Sequence, residues 1–215
     1  MKCLSTTLLT VSLLLLPVAI VIEHNYLSTW NNRLAIPEFE SKTNRHTPKH
    51  FVGTFLPPRI NKDTTLSMDD NPVILAFSTQ IEPGVTLAIE PGVHIYANEN
   101  TNLIISGQLL ARGVKDKPII FSSNEDHPLN QTWLGISVTS GGSATLEQVS
   151  IEDSSPAISC LEGSKVKATN TRLTRGVLGV FQASANCQLA NMFINGVRNG
   201  VIIINEEPQI TSTTI

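Results

Sequence analysis

Aromatic residues are scarce in this chain, at 5% of 215 residues, and only two of them are tryptophans. The wide, tryptophan-rich clefts of many sugar-processing enzymes need more rings than this. Basic charge is lacking too, because 15 lysines and arginines face 18 acidic residues and the net charge is −3. A basic surface for nucleic acid is therefore not expected. The three cysteines are too few for a disulfide scaffold.

The chain instead contains short segments in which apolar and other residues alternate, most clearly between positions 85 and 122. Turn formers such as Pro91-Gly92, Gly107 and Gly113 separate these segments. Alternation predicts strands with one buried face. Because the strands are short and leave no room for crossover helices, the pattern predicts a parallel β-solenoid, in which each coil stacks on the next.

The repeat can be counted from residue 135 onward. Apolar positions recur every 22 or 21 residues in three sets: Ile136, Ile158, Val180 and Val201; Ile151, Leu173 and Ile194; Leu146, Ala168 and Leu189. One coil of a parallel β-helix takes about this many residues, so each set predicts a stack of side chains about 4.8 Å apart. We expect a β-helix domain at residues 71–215 with about six coils.

The same register assigns the polar positions. Gln148, Asn170 and Asn191 share a column, which predicts a structural amide ladder at a turn. Asp153 and Arg175 share another, which predicts an exposed ion pair between adjacent coils.

The register also separates two of the cysteines. Cys160 aligns with Val138 and Ile203 and is expected in the core. Cys187 aligns with Lys165 and Ser143 and is expected at a turn. No disulfide between Cys160 and Cys187 is therefore expected.

The chain opens with an apolar run from Leu8 to Ile22, preceded by Lys2. Counted from Cys3 it is about 20 residues long, roughly the minimum for a membrane-spanning helix. No small-x-small cleavage site follows it. We expect residues 1–22 to be an uncleaved transmembrane anchor, with a cleaved signal peptide as the alternative. Residues 23–70, polar and punctuated by prolines, are expected to form an extended stalk that places the rest outside the cytoplasm.

Several segments are specific enough to indicate a family: Ile81-Glu82-Pro83-Gly84-Val85-Thr86-Leu87, Ile89-Glu90-Pro91-Gly92-Val93, Ser106-Gly107-Gln108-Leu109 and Trp133-Leu134-Gly135-Ile136. They resemble the coils of secreted right-handed parallel β-helix proteins of the pectate-lyase-like superfamily. The resemblance covers residues 70–207 and implies an all-β, right-handed parallel β-helix. It implies little about activity, because this fold carries lyases, hydrolases, epimerases, adhesins and scaffolds.

The enzymes of this superfamily have motifs that the chain lacks. It has no WIDH or RxPxxR segment of the pectate-lyase type, and no NTD, DD and GHG set within the coils. Asp69-Asp70 precedes the first predicted coil, and Asp126-His127-Pro128 has the residues of an epimerase-type DPH triad in a different order. We therefore assign no catalytic residue, and expect no cofactor and no metal.

An insertion at residues 122–132 interrupts the repeat and contains the acidic and histidine cluster Glu125, Asp126 and His127. Insertions in a solenoid often shape a binding groove, so these residues are candidate ligand contacts. Trp133, whose ring could stack on a sugar, is a fourth candidate, with core packing as its alternative. Asn130-Gln131-Thr132 matches a glycosylation acceptor for a eukaryotic secretory pathway.

The sequence favours a membrane-tethered, extracytoplasmic surface module that is not catalytic. Its expected partner is a polysaccharide or a surface protein. A carbohydrate-active enzyme that uses the insertion is the first alternative. The second is a fragment of a larger β-helix surface protein, because the residues from Pro208 begin another coil that no cap follows.

Overall fold

The protein is described by a computed structural model at residues 49, 52–125, 133–204 and 209–214. Over those ranges the chain consists mainly of short β-strands, with one 3-10 turn at Met68–Asp70. The strands are β1 (Thr54–Phe55), β2 (Arg59–Ile60), β3 (Thr64–Leu66), β4 (Val73–Leu75), β5 (Thr79–Ile81), β6 (Thr86–Ile89), β7 (His94–Ala97), β8 (Leu103–Ile105), β9 (Gln108–Arg112), β10 (Ile119–Ser123), β11 (Ile136–Val138), β12 (Ser143–Glu147), β13 (Val149–Glu152), β14 (Ile158–Cys160), β15 (Lys165–Thr169), β16 (Arg172–Gln182), β17 (Cys187–Ala190), β18 (Phe193–Ile203) and β19 (Gln209–Thr211).

Successive strands lie on three faces of a solenoid, and each strand pairs in parallel with strands one coil away. Sheet 1 contains β1, β4, β7, β10 and β13; sheet 2 contains β2, β5, β8, β11 and β14; sheet 3 contains β3, β6, β9, β12, β15, β17 and β19. The long strands β16 and β18 run through a corner and contribute to both sheet 1 and sheet 2. The predicted parallel β-helix is confirmed.

The described residues form seven coils, because sheet 3 has seven strands there, one from each coil. The prediction of about six coils was one short. Coil one, formed by β1, β2 and β3, lies within residues 23–70, which the sequence assigned to the stalk. Its strands are two or three residues long, and Pro57-Pro58 separates two of them. Such short pieces show no alternation that sequence reasoning could detect.

The interior is filled by stacks of apolar side chains, to which successive coils contribute one residue each. The stack beneath sheet 1 contains Val73, Ile95, Phe121, Ile151, Leu173 and Ile194. All of these side chains are at most 2% exposed. The predicted stack Ile136, Ile158, Val180 and Val201 is in register as expected. Burial of this aliphatic surface, at about 25 cal/mol per Å², is the main force that holds the coils together.

A corner of one or two residues turns the chain from sheet 3 to sheet 1 in the later coils. Gln148, Asn170 and Asn191 occupy this corner, with φ angles of 49°, 50° and 52°. Asparagine adopts the left-handed conformation more readily than most residues, because its short side chain hydrogen-bonds locally. The Asn191 amide donates to the side-chain oxygen of Asn170 at 3.3 Å. The three residues of the predicted amide ladder thus lie at one corner, and a hydrogen bond along the axis joins two of them.

A disulfide joins Cys160 and Cys187, so the expectation of two unbonded cysteines was wrong. Cys187 pairs in register with Val166, which places it in the core with no exposed surface. The predicted step from Lys165 to Cys187 was 22 residues, whereas the step from β15 to β17 is 21. A slip of one residue moves a side chain to the opposite face of its strand, and Cys187 was therefore expected at a turn.

The predicted anchor at residues 1–22, with its hydrophobic helix, and the predicted stalk up to residue 48 lie outside the described residues. Within the described ranges, no helix has the length and apolar character to cross a bilayer. The right-handedness implied by the resemblance stays a prediction.

Candidate ligand groove on sheet 1

A groove of about 580 Å³ crosses the outer face of sheet 1 from coil four to coil seven. Its floor is a row of outward side chains, one from each coil: Ile120 on β10, Ser150 on β13, Arg172 on β16 and Phe193 on β18. Because neighbouring strands lie about 4.8 Å apart, the row is about 14 Å long. The groove therefore runs parallel to the solenoid axis and across the strands.

One wall of the groove is formed by the corner residues Gln148, Asn170 and Asn191. At the start of coil four the same corner contains more residues than in the later coils. These residues form a tight turn, in which Val114 and Lys117 exchange backbone hydrogen bonds of 3.2 and 3.0 Å. This turn brings the exposed Lys115 to the groove. The wall thus offers amide donors and acceptors along its length and a cation at one end.

Arg172 lies over the ring of Phe193, with the guanidinium carbon 4.4 Å from the ring centroid. A cation in this position is attracted to the ring face by about 0.5–1 kcal/mol at an exposed site. Arg172 and Lys115 take part in none of the ion pairs found among the described residues. The groove therefore presents two positive charges that form no ion pair with a carboxylate of the described residues.

Glu152 borders the groove, but protein groups already occupy its carboxylate. Its Oε2 accepts a hydrogen bond from Arg175 at 2.7 Å, and its Oε1 accepts one from the Ser150 hydroxyl at 3.0 Å. Glu152 is thereby held by its neighbours and does not cancel the charges of Arg172 and Lys115.

Arg175 also forms a bidentate pair with Asp153 of the preceding coil, at 2.7 and 3.0 Å. The predicted pair between adjacent coils is confirmed, but it is not an exposed pair, because Asp153 is only 2% exposed. The hydrogen bond that Arg175 donates to Asp153 raises the pKa of Arg175, desolvation by burial opposes this shift, and the hydrogen bond donated to Glu152 adds to it. A raised pKa on a cation means that its stabilising contribution is fully present below the ordinary pKa of arginine and is lost only as the pH rises through the raised value, while the partner carboxylates stay ionised.

Replacing Arg175 with methionine should lower the free energy of unfolding by about 1–2 kcal/mol, because a buried carboxylate loses its bidentate partner. The Arg175 side chain is 53% exposed, and solvent screening limits the loss. Urea denaturation would measure the change. Arg112→Met is the matched control, since Arg112 is exposed and forms no ion pair in the described part of the chain. It should change stability by less than about 0.5 kcal/mol, and equal effects of the two substitutions would contradict the role given to Arg175.

Trp133, a candidate ligand contact, is packed in the core. Its ring has no exposed surface and stacks on Phe121 with centroids 6.2 Å apart. Its indole N–H donates to the Glu152 carbonyl at 2.8 Å. The ring therefore has no free face for a sugar, in agreement with the alternative of core packing.

The other predicted contacts lie at or within the insertion. Glu125 follows the end of β10 and is 3% exposed. Its backbone N–H donates to the Ser123 hydroxyl at 3.1 Å. Asp126, His127 and the glycosylation candidate Asn130 lie outside the described residues, and their roles stay predictions.

A polar set that sequence reasoning missed lies on coils three and four of sheet 1. His94 stacks on Tyr96 with ring centroids 3.9 Å apart, and its Nε2 hydrogen-bonds to Ser122 Oγ at 2.9 Å. Burial raises the pKa of Tyr96. A histidine beside a serine hydroxyl is also the start of a nucleophilic dyad, but Ser122 is only 7% exposed, which leaves a substrate little access. In the described ranges, no three histidine, cysteine or acidic side chains converge to hold a metal ion.

The groove was not predicted from the sequence either, although the repeat already aligns three of its four floor residues. Ser150, Arg172 and Phe193 each precede a residue of the Ile151 stack, so the repeat places them in one outward row. In coil four the step lengthens to 30 residues, from Ile120 to Ser150, and this irregular step hid the continuation of the row.

A protein-family model described as a pectate-lyase like beta helix domain matches residues 59–161. The match begins in coil one and ends in coil five, so it includes Ile120 and Ser150 of the groove floor but not Arg172 or Phe193. No curated protein and no solved structure matches the chain.

Proposed function

We propose that this chain, a pectate-lyase-like β-helix over residues 59–161, is a non-catalytic surface module that binds a polysaccharide in the sheet 1 groove. The observation that carries the proposal is the row of floor residues that continues across four coils, from Ile120 to Phe193. A groove along the axis suits an extended polymer. Sugars present hydroxyl groups and an apolar ring face at each unit, and the groove offers amides on its wall and apolar surface on its floor.

The module is proposed to lie outside the cytoplasm, tethered by residues 1–22 and the stalk. The apolar run from Leu8 to Ile22 supports the tether. The Cys160–Cys187 disulfide supports the compartment, because disulfides persist in oxidising environments. Secretion after cleavage of a signal peptide is the alternative, and amino-terminal sequencing of the mature protein would distinguish the two.

Binding of the full chain, purified in a mild detergent, to polygalacturonate, alginate, xylan and dextran tests the proposal. Phe193→Ala should weaken binding about tenfold, because it removes both an apolar contact and the support of Arg172. Phe77→Ala is the matched control, since Phe77 is 67% exposed and does not line the groove. Equal losses in the two variants would contradict the groove as the site. Absence of binding to all four polymers would contradict a polysaccharide ligand and favour a protein partner.

The same samples test the enzyme alternative. New reducing ends or unsaturated sugar products, lost in the variant His127→Ala, would locate a reaction at the insertion. That result would overturn the non-catalytic part of the proposal. Binding without any product would support it.

A further inference from the structure

We propose that coils six and seven form a unit that can open separately from the rest of the solenoid, and that the Cys160–Cys187 disulfide keeps this unit closed. Reduction of the disulfide would then open the carboxy-terminal half of the groove while coils two to five stay folded. The opening itself does not depend on what the groove binds. Its use as a redox control of binding rests on the proposed function.

The disulfide lies where coil five meets coil six. Cys160 is the last residue of β14 in sheet 2, and Cys187 is the first residue of β17 in sheet 3. They are 27 residues apart, their Cα atoms are 6.2 Å apart, and neither side chain is exposed. The bridge therefore crosses the core and encloses the whole of β15 and β16.

Coil six has a polar side chain where coils two, three and four have aliphatic ones. Gln182 pairs in register with Cys160, in the column that also contains Ile81, Ile105 and Val138. Gln182 has no exposed surface, and its Oε1 has no hydrogen-bond partner among the described residues. A buried acceptor without a partner lowers the stability of the coil that contains it.

Two serines extend this polar region on both sides of β15 and β16. The Gln182 amide donates to the Ser184 carbonyl at 3.3 Å, and the Ser184 hydroxyl donates to the Ser164 carbonyl at 2.7 Å. The Ser164 hydroxyl is buried and, within the described chain, has no partner of its own. Two buried polar atoms without a described partner, Gln182 Oε1 and Ser164 Oγ, thus lie in the two coils that the disulfide joins.

Coil seven adds little apolar burial to compensate. Val197, Val201 and Ile210 are only partly buried against the core, whereas Val73, Ile81 and Leu87 of coil two have no exposed surface. In a solenoid each coil contacts only its neighbours, so a weak terminal pair of coils can open without the rest. The disulfide is the covalent link that opposes this opening.

The groove depends directly on these coils. Arg172 and Phe193, two of the four residues of its floor, belong to β16 and β18. Opening of coils six and seven removes the stacked cation and ring and leaves Ile120 and Ser150 behind. Reduction would require a dithiol, which transfers two electrons and two protons to the disulfide; two thiols form on the protein, and the dithiol becomes a cyclic disulfide.

Hydrogen exchange of the full chain, followed by mass spectrometry, tests the inference with the double variant Cys160→Ala and Cys187→Ala. Amides of β16, β17 and β18 should exchange at least about 100-fold faster than in the wild type, and those of β4 to β11 less than about threefold faster. Val138→Ala is the matched control, because it makes a cavity in the column of Cys160 and keeps the disulfide. It should not produce this selective acceleration.

The inference would be overturned if amide exchange were accelerated equally from β4 to β18 or not accelerated at all. It would also be overturned if the double variant had no protected amides. Wild-type protein reduced with dithiothreitol in dilute urea supplies a second measurement and should show the same division. Because exchange is read without a polysaccharide, failure of the proposed function would not change this result, and failure of this test would leave the binding assay unaffected.

Discussion

Replacing Gly135 with alanine is expected to lower the free energy of unfolding by about 3 kcal/mol or more. Gly135 enters β11 with a φ of 67°, a conformation that side chains disfavour. A Cβ at this position would also contact the backbone carbonyl oxygens of Pro156 and Ala157 in the next coil. The Ala157 carbonyl accepts a hydrogen bond from the Ile136 N–H at 3.0 Å, so the neighbouring backbone cannot withdraw without loosening the ladder.

Gly141→Ala separates the two causes. Gly141 has a similar φ of 78°, but no heavy atom lies within 4 Å of its Cβ position. Its substitution should therefore cost only the conformational term, about 1–2 kcal/mol. Urea denaturation of both variants measures the difference. If they are equally destabilised, the left-handed conformation matters and the close approach of the coils at Gly135 does not.

Trp133→Ala is the second large effect we expect, a loss of about 3–5 kcal/mol. The substitution empties the largest side-chain volume among the fully buried residues and removes the stacked partner of Phe121. It also leaves the Glu152 carbonyl without its indole donor. Trp133 is the residue at which the described chain resumes after the insertion, and it bridges to Ser154 in coil five. The loss should therefore destabilise coils four and five together.

Trp133→Phe supplies the comparison, because it keeps an aromatic ring and loses the N–H. We expect it to cost about 1–3 kcal/mol, less than the alanine variant. Urea denaturation, followed by circular dichroism because the substitutions remove a tryptophan, measures both. An alanine variant within about 1 kcal/mol of the wild type would be incompatible with a packed core position and would favour an exposed role for this ring.

The regular coils could be predicted from sequence for a simple physical reason. From β11 onward the corner between sheet 3 and sheet 1 takes only one or two residues in each coil: Gln148, Asn170-Thr171 and Asn191-Met192. Coil length is therefore nearly constant, and positions such as Ile136 and Ile158 reveal the stack directly. The prediction was wrong at Cys187, where the coil is one residue shorter, because one residue is enough to exchange core and surface.

The groove was harder to predict than the coils because its members share position and not chemistry. Ile120, Ser150, Arg172 and Phe193 have no residue type in common, so no motif indicates them; only the register brings them into one row. Trp133 shows the reverse case. Its chemistry indicated sugar binding, but its position in coil four between β10 and β11, next to Phe121, gives it a structural role.

The pairing of each strand with strands one coil away, and with none of its sequence neighbours, has a mechanical consequence. A force along the solenoid axis loads the hydrogen bonds of one coil at a time, whereas a force along the strands loads all the hydrogen bonds between two strands in shear. A detached coil of 22 residues releases about 70 Å of extended chain. The Cys160–Cys187 bridge would keep the segment between the two cysteines from extending fully. The solenoid is thus compliant along its length and stiff across it.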